Sequence, residues 1–480
     1  MQTINRAEVG KSQLDDLTDY VWESKFEDLE EEVILQLKLR ILDSIACAIG
    51  ALGYDPVQKV LNYVVELGGN KQASLIGGGS TSLDRATLYN SFLVRYLDFN
   101  DSYLAPHETC HPSDNLAAIM ACSEHISAYG RELLTALAVS YQIQCRLSDE
   151  APVRDKGFDH TTQGAYAAAA GAAKALGLSR DQIKNAIAIS GTTNNALRVT
   201  RCGKLSNWKG LAYPYTAASA VNCALLAKHG ITGPDRVFEG TKGFMSSISG
   251  DFYIDWSNEK FDRVMRTITK KYNAEIHSQS TIEGICRVRD EIDVQNIERV
   301  DIEIFDVAYN IIGGGNEGAK NEIALKEEAD HSLPYMVSVA LLEGQVLPRE
   351  YSADRIQRSD VQHLLQRVHI KPNLSMSNQF PESMPASIDI LTSDGKHHKF
   401  AVKDYEGFHT RPAEWSTTKK KFELLTWDKI DSKLSKKIVN AVVDLESVPV
   451  NLLMALLSEI DPLKPYFCHR RTTPGEVLND

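Results

Sequence analysis

Apolar residues recur at helical spacing along most of the first 265 residues and again near the end of the chain. The spacing predicts helices at residues 14–24, 29–51, 55–67, 83–99, 115–129 and 132–147, with one short strand at residues 73–76. Alanine and other small residues dominate residues 165–175, which indicates helices that approach one another closely. Helical spacing returns at residues 412–422, 431–445 and 450–458. The two regions together predict a helical bundle.

Between these helical regions, residues 266 to about 404 mix strand and helix patterns. Alternating apolar and polar residues predict half-buried strands at residues 300–305, 387–391 and 399–402, whereas apolar stripes predict helices at residues 280–290 and 333–342. We therefore expect a mainly α protein with a smaller α+β domain. Residues 1–265 form the all-helical large domain, residues 266–404 form the α+β domain, and residues 405–480 return to the large domain.

The composition is that of an ordinary globular protein of 480 residues, with 43% hydrophobic and 24% charged residues. The formal net charge of −12 argues against a nucleic-acid or anionic-membrane partner, since both need a basic surface. No stretch approaches the roughly 18 apolar residues of a membrane span, and residues 1–23 lack a signal-peptide pattern, so we expect a cytoplasmic protein. An anionic substrate would need a local cluster of cations.

Residues 97–115 concentrate ionisable side chains between two apolar helical patterns. Asp98 and Asp101 share a face of the last helical turn, where carboxylates meet the negative end of the helix dipole. Such a violation of a local rule tends to mark a functional site. His111 stands just before a new helix start, where the dipole favours the neutral imidazole of a general base. The alternative is a polar connecting loop with capping acids and solvated histidines.

Two later loops carry further candidate residues. His160 also precedes a helix start, in the loop at residues 156–164 that leads into the alanine-rich helix. The loop at residues 198–210 holds a cluster of cations, namely Arg198, Arg201, Lys204 and Lys209. This cluster is either the local positive site that an anionic substrate needs or a solvated basic loop.

The sequence does not predict a metal or an organic cofactor. Its eight cysteines form no Cys-x-x-Cys pair, which fits reduced thiols in a cytoplasmic protein. Asp98, His107, Cys110 and His111 match no standard metal-ligand spacing. The glycine runs at residues 77–79 and 313–315 lack the context of a nucleotide-binding motif. We therefore expect neither a metal ion nor a cofactor.

Five segments in order carry a resemblance to a known family. They are Leu97-Asp-Phe-Asn-Asp followed by His111-Pro-Ser-Asp, then Gly157-Phe-Asp-His-Thr-Thr, Trp208-Lys-Gly, Tyr272-Asn-Ala-Glu-Ile-His-Ser-Gln-Ser and Ala329-Asp-His-Ser-Leu-Pro-Tyr. Together they resemble the MmgE/PrpD family, which contains 2-methylcitrate dehydratases, cis-aconitate decarboxylases and related lyases and isomerases. The resemblance implies an all-helical domain built from both chain ends, an α+β lid, a homodimer, and metal-free chemistry on a small polycarboxylate.

Carried over by motif, the resemblance implies a set of active-site positions. They are Asp98, Ser102, His111, His160, Lys209, Lys270, His277 and Tyr309, to which the charged segments above add Asp101, Arg201 and Lys204. As a hypothesis, Lys209, Lys270 and His277 bind substrate carboxylates, and Asp98 orients a histidine or a hydroxyl group. His111 and His160 share proton transfer, with the acid and the base not yet distinguished.

Within the family, the sequence is closer to the dehydratase branch. Ser102 stands where threonine is common, Asn273 replaces a frequent proline, and three extra residues separate Asp101 from His111 relative to the decarboxylase pattern. We expect conversion of 2-methylcitrate to 2-methylaconitate, with citrate or cis-aconitate as further substrates. Decarboxylase-like or epimerase activity, a metal-dependent lyase and a non-catalytic scaffold stay as alternatives. A serine hydrolase is disfavoured, because no Gly-x-Ser-x-Gly motif occurs.

Overall fold

The structure is a computed structural model that describes residues 12–203 and 205–462. The helices in those ranges are α1 Gln13–Glu23, α2 Glu31–Gly50, α3 Asp55–Leu67, α4 Leu83–Tyr96, α5 Leu116–His125, α6 Gly130–Glu150, α7 Thr161–Ala175, α8 Arg180–Thr193, α9 Trp208–Lys228, α10 Gln279–Val288, α11 Asp306–Ile312, α12 Lys326–Ala329, α13 Leu333–Glu343, α14 Ala353–Ile356, α15 Ser359–Leu365, α16 Leu374–Ser377, α17 Trp415–Thr426, α18 Ser432–Val443 and α19 Val450–Ser458. The strands are β1 Ala73–Ser74, β2 Ser80–Thr81, β3 Tyr103–Ala105, β4 Glu108–Cys110, β5 Ile297–Ile304, β6 Val368–Pro372, β7 Ala386–Thr392 and β8 His397–Val402.

The first hydrophobic core is built by helices from both ends of the chain. Residues 14–264 and 422–460 supply nearly all of its side chains, and α17 packs against α2. Small residues allow the central helices to approach closely. A side chain at Gly171 of α7 would collide with Ser140 of α6, and one at Gly164 would collide with the ring of Tyr213 on α9. The alanine-rich pattern is thus explained by tight packing of α6, α7 and α9.

The second core lies under a four-stranded mixed sheet. The strand order is β6-β5-β7-β8, with β5 and β6 parallel and the other neighbours antiparallel. Side chains between Ile268 and Phe408 form this core, and α10, α13 and α15 cover it. This arrangement confirms the predicted class, a mainly α protein with a smaller α+β unit.

The segment at residues 97–115 differs from the prediction in two respects. Helix α4 ends at Tyr96, so the expectation that Asp98 and Asp101 share a face of its last turn is wrong, since the left-handed backbone at Asp98 turns the chain out of the helix. Strands β3 and β4 form a short antiparallel hairpin, with Tyr103 opposite Cys110. Just before β3, the backbone of Ser102 exchanges two hydrogen bonds with Ile268, at 2.9 and 2.8 Å. The hairpin therefore attaches this segment of the helical part to the first residues of the α+β part.

Across the described residues, the structure contains no helix with the length and apolar character needed to cross a membrane.

Candidate active site

A polar cavity lies between the helical part and the α+β part of the chain. Its volume is about 460 Å³ when its opening to solvent is included. The cations that line it are Arg95, Arg154, Arg198, Arg201 and Lys270. Three carboxylates and four histidines also line it: Asp98, Glu275 and Glu317, with His111, His160, His277 and His331. A protein of net charge −12 thus contains a local site in which cations outnumber carboxylates.

The carboxylate of Asp98 is held by three cations. Its Oδ1 lies 2.5 Å from Arg95 Nη1 and 2.7 Å from Lys270 Nζ, and its Oδ2 lies 3.2 Å from Lys209 Nζ. Burial would raise the pKa of Asp98, but these cations lower it well below its usual range. Asp98 has a backbone φ of +54°, a left-handed conformation in which Asp and Asn are enriched. The strained turn after α4 thereby directs one carboxylate at cations from three elements.

Lys209 joins the two parts of the molecule from the first turn of α9. Its ammonium group contacts Asp98 Oδ2 at 3.2 Å, Asp330 Oδ1 at 3.0 Å and His331 Nδ1 at 2.9 Å. These three residues are also the one group of candidate metal ligands among the described residues, with ligand atoms within 4.8 Å of one another. The Nδ1 of His331 also lies 2.7 Å from Asp330 Oδ1 and, because a carboxylate only accepts, it donates its proton there, so Lys209 forms ion pairs with the two carboxylates and lies beside the imidazole. Lys209 therefore already neutralises the two carboxylates that a metal ion would use.

The tautomer of His111 follows from its hydrogen bonds. Its Nδ1 lies 2.8 Å from the carbonyl oxygen of Asp101 and 3.1 Å from the hydroxyl of Ser102. Because a carbonyl oxygen only accepts, Nδ1 must carry the proton, and Nε2 is the unprotonated nitrogen of the neutral ring. Burial lowers the pKa of His111 well below its usual range, and the guanidinium of Arg95 lowers it further.

His160 accepts its hydrogen bond at Nε2, whereas His111 donates from Nδ1. Arg201 Nη2 lies 2.9 Å from His160 Nε2, and Arg201 Nε lies 2.5 Å from the carboxylate of Asp159. Since a guanidinium only donates, Nε2 of His160 accepts and Nδ1 carries the proton. Burial lowers the pKa of His160 well below its usual range despite the opposing charge of Asp159. The Nδ1–H is buried and has no protein partner, so it is a donor awaiting an acceptor.

His277 is paired with a carboxylate. Its Nδ1 lies 2.7 Å from Glu275 Oε1, and the other oxygen of Glu275 accepts from the His277 backbone N–H at 2.8 Å. Burial alone would raise the pKa of Glu275, but His277 lowers it to about 2, so this carboxylate is ionised. The His277 Nε2 is buried without a protein partner. The rings of Phe305 and Phe380 pack at 5.7 and 5.5 Å from the imidazole and hold its plane.

The structure brings together most of the residues proposed from the sequence. Asp98, His111, His160, Arg201, Lys270 and His277 line the cavity. Asp101, Ser102 and Lys209 stand directly behind it, where the first two hold His111 and the third holds Asp98. Lys204 lies outside the described residues.

Tyr309 is half-buried in the second core and is not among the side chains that line the cavity. Its ring lies beneath the turn at Gly313 and Gly315, where an added Cβ would come within 3.0 Å of it. A catalytic role of Tyr309 stays a prediction.

Sequence reasoning missed several lining residues, among them Arg95, Arg154, Glu275 and Glu317. Arg95 has the clearest role, since it contacts Asp98 and lies 3.6 Å from Asp114. Its position in the last turn of an apolar helix looked ordinary. A signal for Glu275 was present, because a carboxylate two residues before a histidine in a helix start caps that helix and holds the imidazole.

Comparison with known proteins gives concordant results along the chain. The family profile for the MmgE/PrpD N-terminal domain matches residues 15–257, and that for the MmgE/PrpD C-terminal domain matches residues 272–446. The chain is 27% identical over 446 residues to the 2-methylcitrate dehydratases of Salmonella typhimurium and Escherichia coli, covering 86% of this chain and 90% of each relative. It is 26% identical over 419 residues to alkylcitrate dehydratase phiI of a fungal species, covering 80% and 82%.

Proposed function

The chain belongs to the MmgE/PrpD family, and from this premise we propose that it is a metal-independent hydro-lyase that converts 2-methylcitrate to 2-methylaconitate. Citrate, or cis-aconitate in the reverse direction, is the second candidate substrate. The names of its relatives support a citrate-type dehydratase. The single observation that carries the proposal is the cavity, where five cations and four histidines line one space between two parts of the chain.

The cations account for the class of substrate. A tricarboxylate brings three negative charges, which need charge-assisted hydrogen bonds if they are to leave water. Arg154 and Arg198 line the cavity from the helical part, and Lys270 lines it from the α+β part. Arg198 also pairs across the cavity with Glu317 at 2.9 Å. Substrate carboxylates bound by cations of both parts would draw the two parts together and exclude water from the reaction.

Dehydration of a β-hydroxy acid begins with removal of a proton beside a carboxylate. His111 is suited to this step, since its Nε2 is unprotonated and its lowered pKa keeps the ring neutral at physiological pH. Asp101 and Ser102 hold the ring through Nδ1, which fixes the tautomer. The proton moves to Nε2 as the double bond forms, and the adjacent cations stabilise the negative charge that develops on the carboxylate.

The departing hydroxide needs a proton donor on the other side of the substrate. A carboxylate that accepts the Nδ1 proton stabilises positive charge on an imidazole ring, so the pairing with Glu275 suits His277 to this role. The neutral His160 offers a buried Nδ1–H that orients the hydroxyl group before it leaves. The proposal thus assigns the base to His111, the acid to His277 and hydroxyl binding to His160.

The surroundings of Lys209 support metal independence. A divalent ion at Asp98, Asp330 and His331 would have to displace an ammonium group that is ion-paired with both carboxylates, and it would need His331 Nδ1 without the proton that this nitrogen donates to Asp330. Lys209 thus supplies at this position the positive charge that a metal ion would supply.

Proton nuclear magnetic resonance of the reaction mixture tests the proposal. Chelator-treated protein is mixed with 2-methylcitrate and, separately, with citrate. With 2-methylcitrate we expect the methyl doublet to become the singlet of a methyl group on a double bond, and with citrate we expect one vinyl proton signal, with no loss of carbon in either case. Carbon dioxide release would instead establish a decarboxylase, and inversion of a stereocentre without loss of water would establish an epimerase. Activity that disappears with the chelator and returns with a divalent ion would contradict metal independence.

A further inference from the structure

The cavity wall contains a small apolar surface among its charged groups. Of the described residues that line the cavity, Ile276 and Ile311 are the two with wholly hydrocarbon side chains. Both are buried, with 1% and 8% of their surface exposed, and both belong to the second hydrophobic core. The remaining lining residues are cations, carboxylates, histidines and Thr109.

The two isoleucines belong to neighbouring helices of the α+β part. Ile276 opens the short helix Ile276–Ser278 that also carries His277, and Ile311 lies in the last turn of α11. The two helices pack against each other in the α+β part. Both isoleucines line the cavity from these packed helices, and we call them the apolar wall; Ile276 is the chain neighbour of His277.

A wholly polar substrate would gain no binding free energy from contact with this apolar surface. Carboxylate and hydroxyl groups against hydrocarbon would lose their hydrogen bonds with water and gain none from the protein. An alkyl group against the cations would equally leave charged groups desolvated without a partner. The arrangement thus suits a substrate that carries charge on most sides and a hydrocarbon branch on one.

We propose that Ile276 and Ile311 bind the alkyl branch that distinguishes an alkylcitrate from citrate, and that this wall sets the preference of the enzyme between them. The inference rests on the proposed dehydratase function and specifies its substrate class. One methylene in a hydrophobic pocket changes kcat/KM by about 10–200-fold, so a methyl branch against this wall gives a preference of that order.

The test is the ratio of kcat/KM for 2-methylcitrate to kcat/KM for citrate in a matched pair of variants. Ile311→Val removes one methylene from the wall and lowers the ratio by about fourfold. Ile311→Thr has nearly the shape of the valine variant but puts a hydroxyl at the wall, which lowers the ratio by roughly a further tenfold. Ile312→Val is the control, because Ile312 is fully buried in the same helix and does not line the cavity.

The proposed role of the wall is wrong if the Ile311→Val and Ile311→Thr variants lose activity equally on both substrates. It is also wrong if Ile312→Val changes the ratio of the two kcat/KM values as much as Ile311→Val does. Calorimetric titration with propane-1,2,3-tricarboxylate and its 1-methyl homologue provides a readout without turnover. If the wild type binds the methyl homologue more tightly and Ile311→Thr weakens this preference, the result supports the wall. That holds even if the wild type dehydrates neither 2-methylcitrate nor citrate, in which case only the proposed reaction is wrong. Equal affinity of the wild type for both compounds overturns the wall while leaving a dehydratase in place.

Discussion

Replacement of Asp98 by asparagine tests whether the ion cluster of Asp98, Arg95, Lys209 and Lys270 at the cavity holds the two parts of the chain together. Asparagine has the same shape and tolerates the left-handed backbone at this position, so the substitution removes charge and little else. Asp98 and the contacting Arg95, Lys209 and Lys270 are buried, with side-chain exposures of 8%, 2%, 5% and 1%. Without the carboxylate, three buried cations face one another with one neutralising partner fewer.

The loss of a buried ion-pair partner destabilises a protein by about 3–5 kcal/mol. At roughly 2 °C per kcal/mol in a folding unit of this size, Asp98→Asn lowers the melting temperature by about 6–10 °C. Scanning calorimetry of the variant and the wild type at pH 7 and one scan rate measures this shift. Far-ultraviolet circular dichroism at 20 °C checks that both proteins are folded before heating.

Asp114→Asn is the matched control. Asp114 is also buried beside Arg95, but burial raises its pKa to about 7, so its carboxyl is largely protonated in weak acid. Asparagine resembles that neutral form, and we expect a loss below about 1 kcal/mol at pH 6. Because the folded state holds this proton more tightly than the unfolded state, Asp114 makes wild-type stability fall as pH rises from about 4 to about 7. Equal losses in the two variants, or no loss in Asp98→Asn, would refute the account of the cluster.

Four further predictions follow from the same geometry. His111→Gln should lower kcat by about 10²–10⁴-fold with an unchanged circular dichroism spectrum, and a loss below tenfold in a kinetic assay would remove it from proton transfer. Glu275→Gln removes the carboxylate that accepts the His277 Nδ1 proton, so kcat should fall more than KM changes, and an unchanged kcat argues against His277 as the acid. Arg198→Ala removes a cation that is proposed to bind a substrate carboxylate and that pairs with Glu317. It should therefore raise KM more than it lowers kcat, which initial-rate kinetics measures. The homodimer implied by the family should appear in light scattering as twice the chain mass, and a monomeric mass would contradict it.

Much of the fold could be predicted because its helices are amphipathic and have clear start signals. The structure has α3 at Asp55–Leu67 and α19 at Val450–Ser458, as the pattern predicts, with a proline beside each helix start. Strand β6 was missed because only Val368 is buried in this short edge strand, which leaves no alternating pattern to detect. The hairpin of β3 and β4 was missed because its strands have three residues each and flank a proline.

The residues of the candidate site could likewise be predicted only where their signal is local in the sequence. His111 and His160 were found because each stands before a helix, which is a local signal. Arg95 was not found, since its importance comes from Asp98 and Asp114, and only the folded turn after α4 surrounds the guanidinium with both. The sequence also could not distinguish the protonated nitrogens of the histidines, because partners such as Arg201 are distant in the chain.

The initial rate of the ultraviolet absorbance rise is the most direct test of the central claim, that this cavity dehydrates a tricarboxylate with protein groups alone. Chelator-treated wild type and His111→Gln are mixed side by side with 2-methylcitrate. We expect a rise from the new conjugated double bond with the wild type and a rate about 10²–10⁴-fold lower with the variant. Equal rates in the two proteins, or no rise from folded wild type with 2-methylcitrate or citrate, would contradict the central claim.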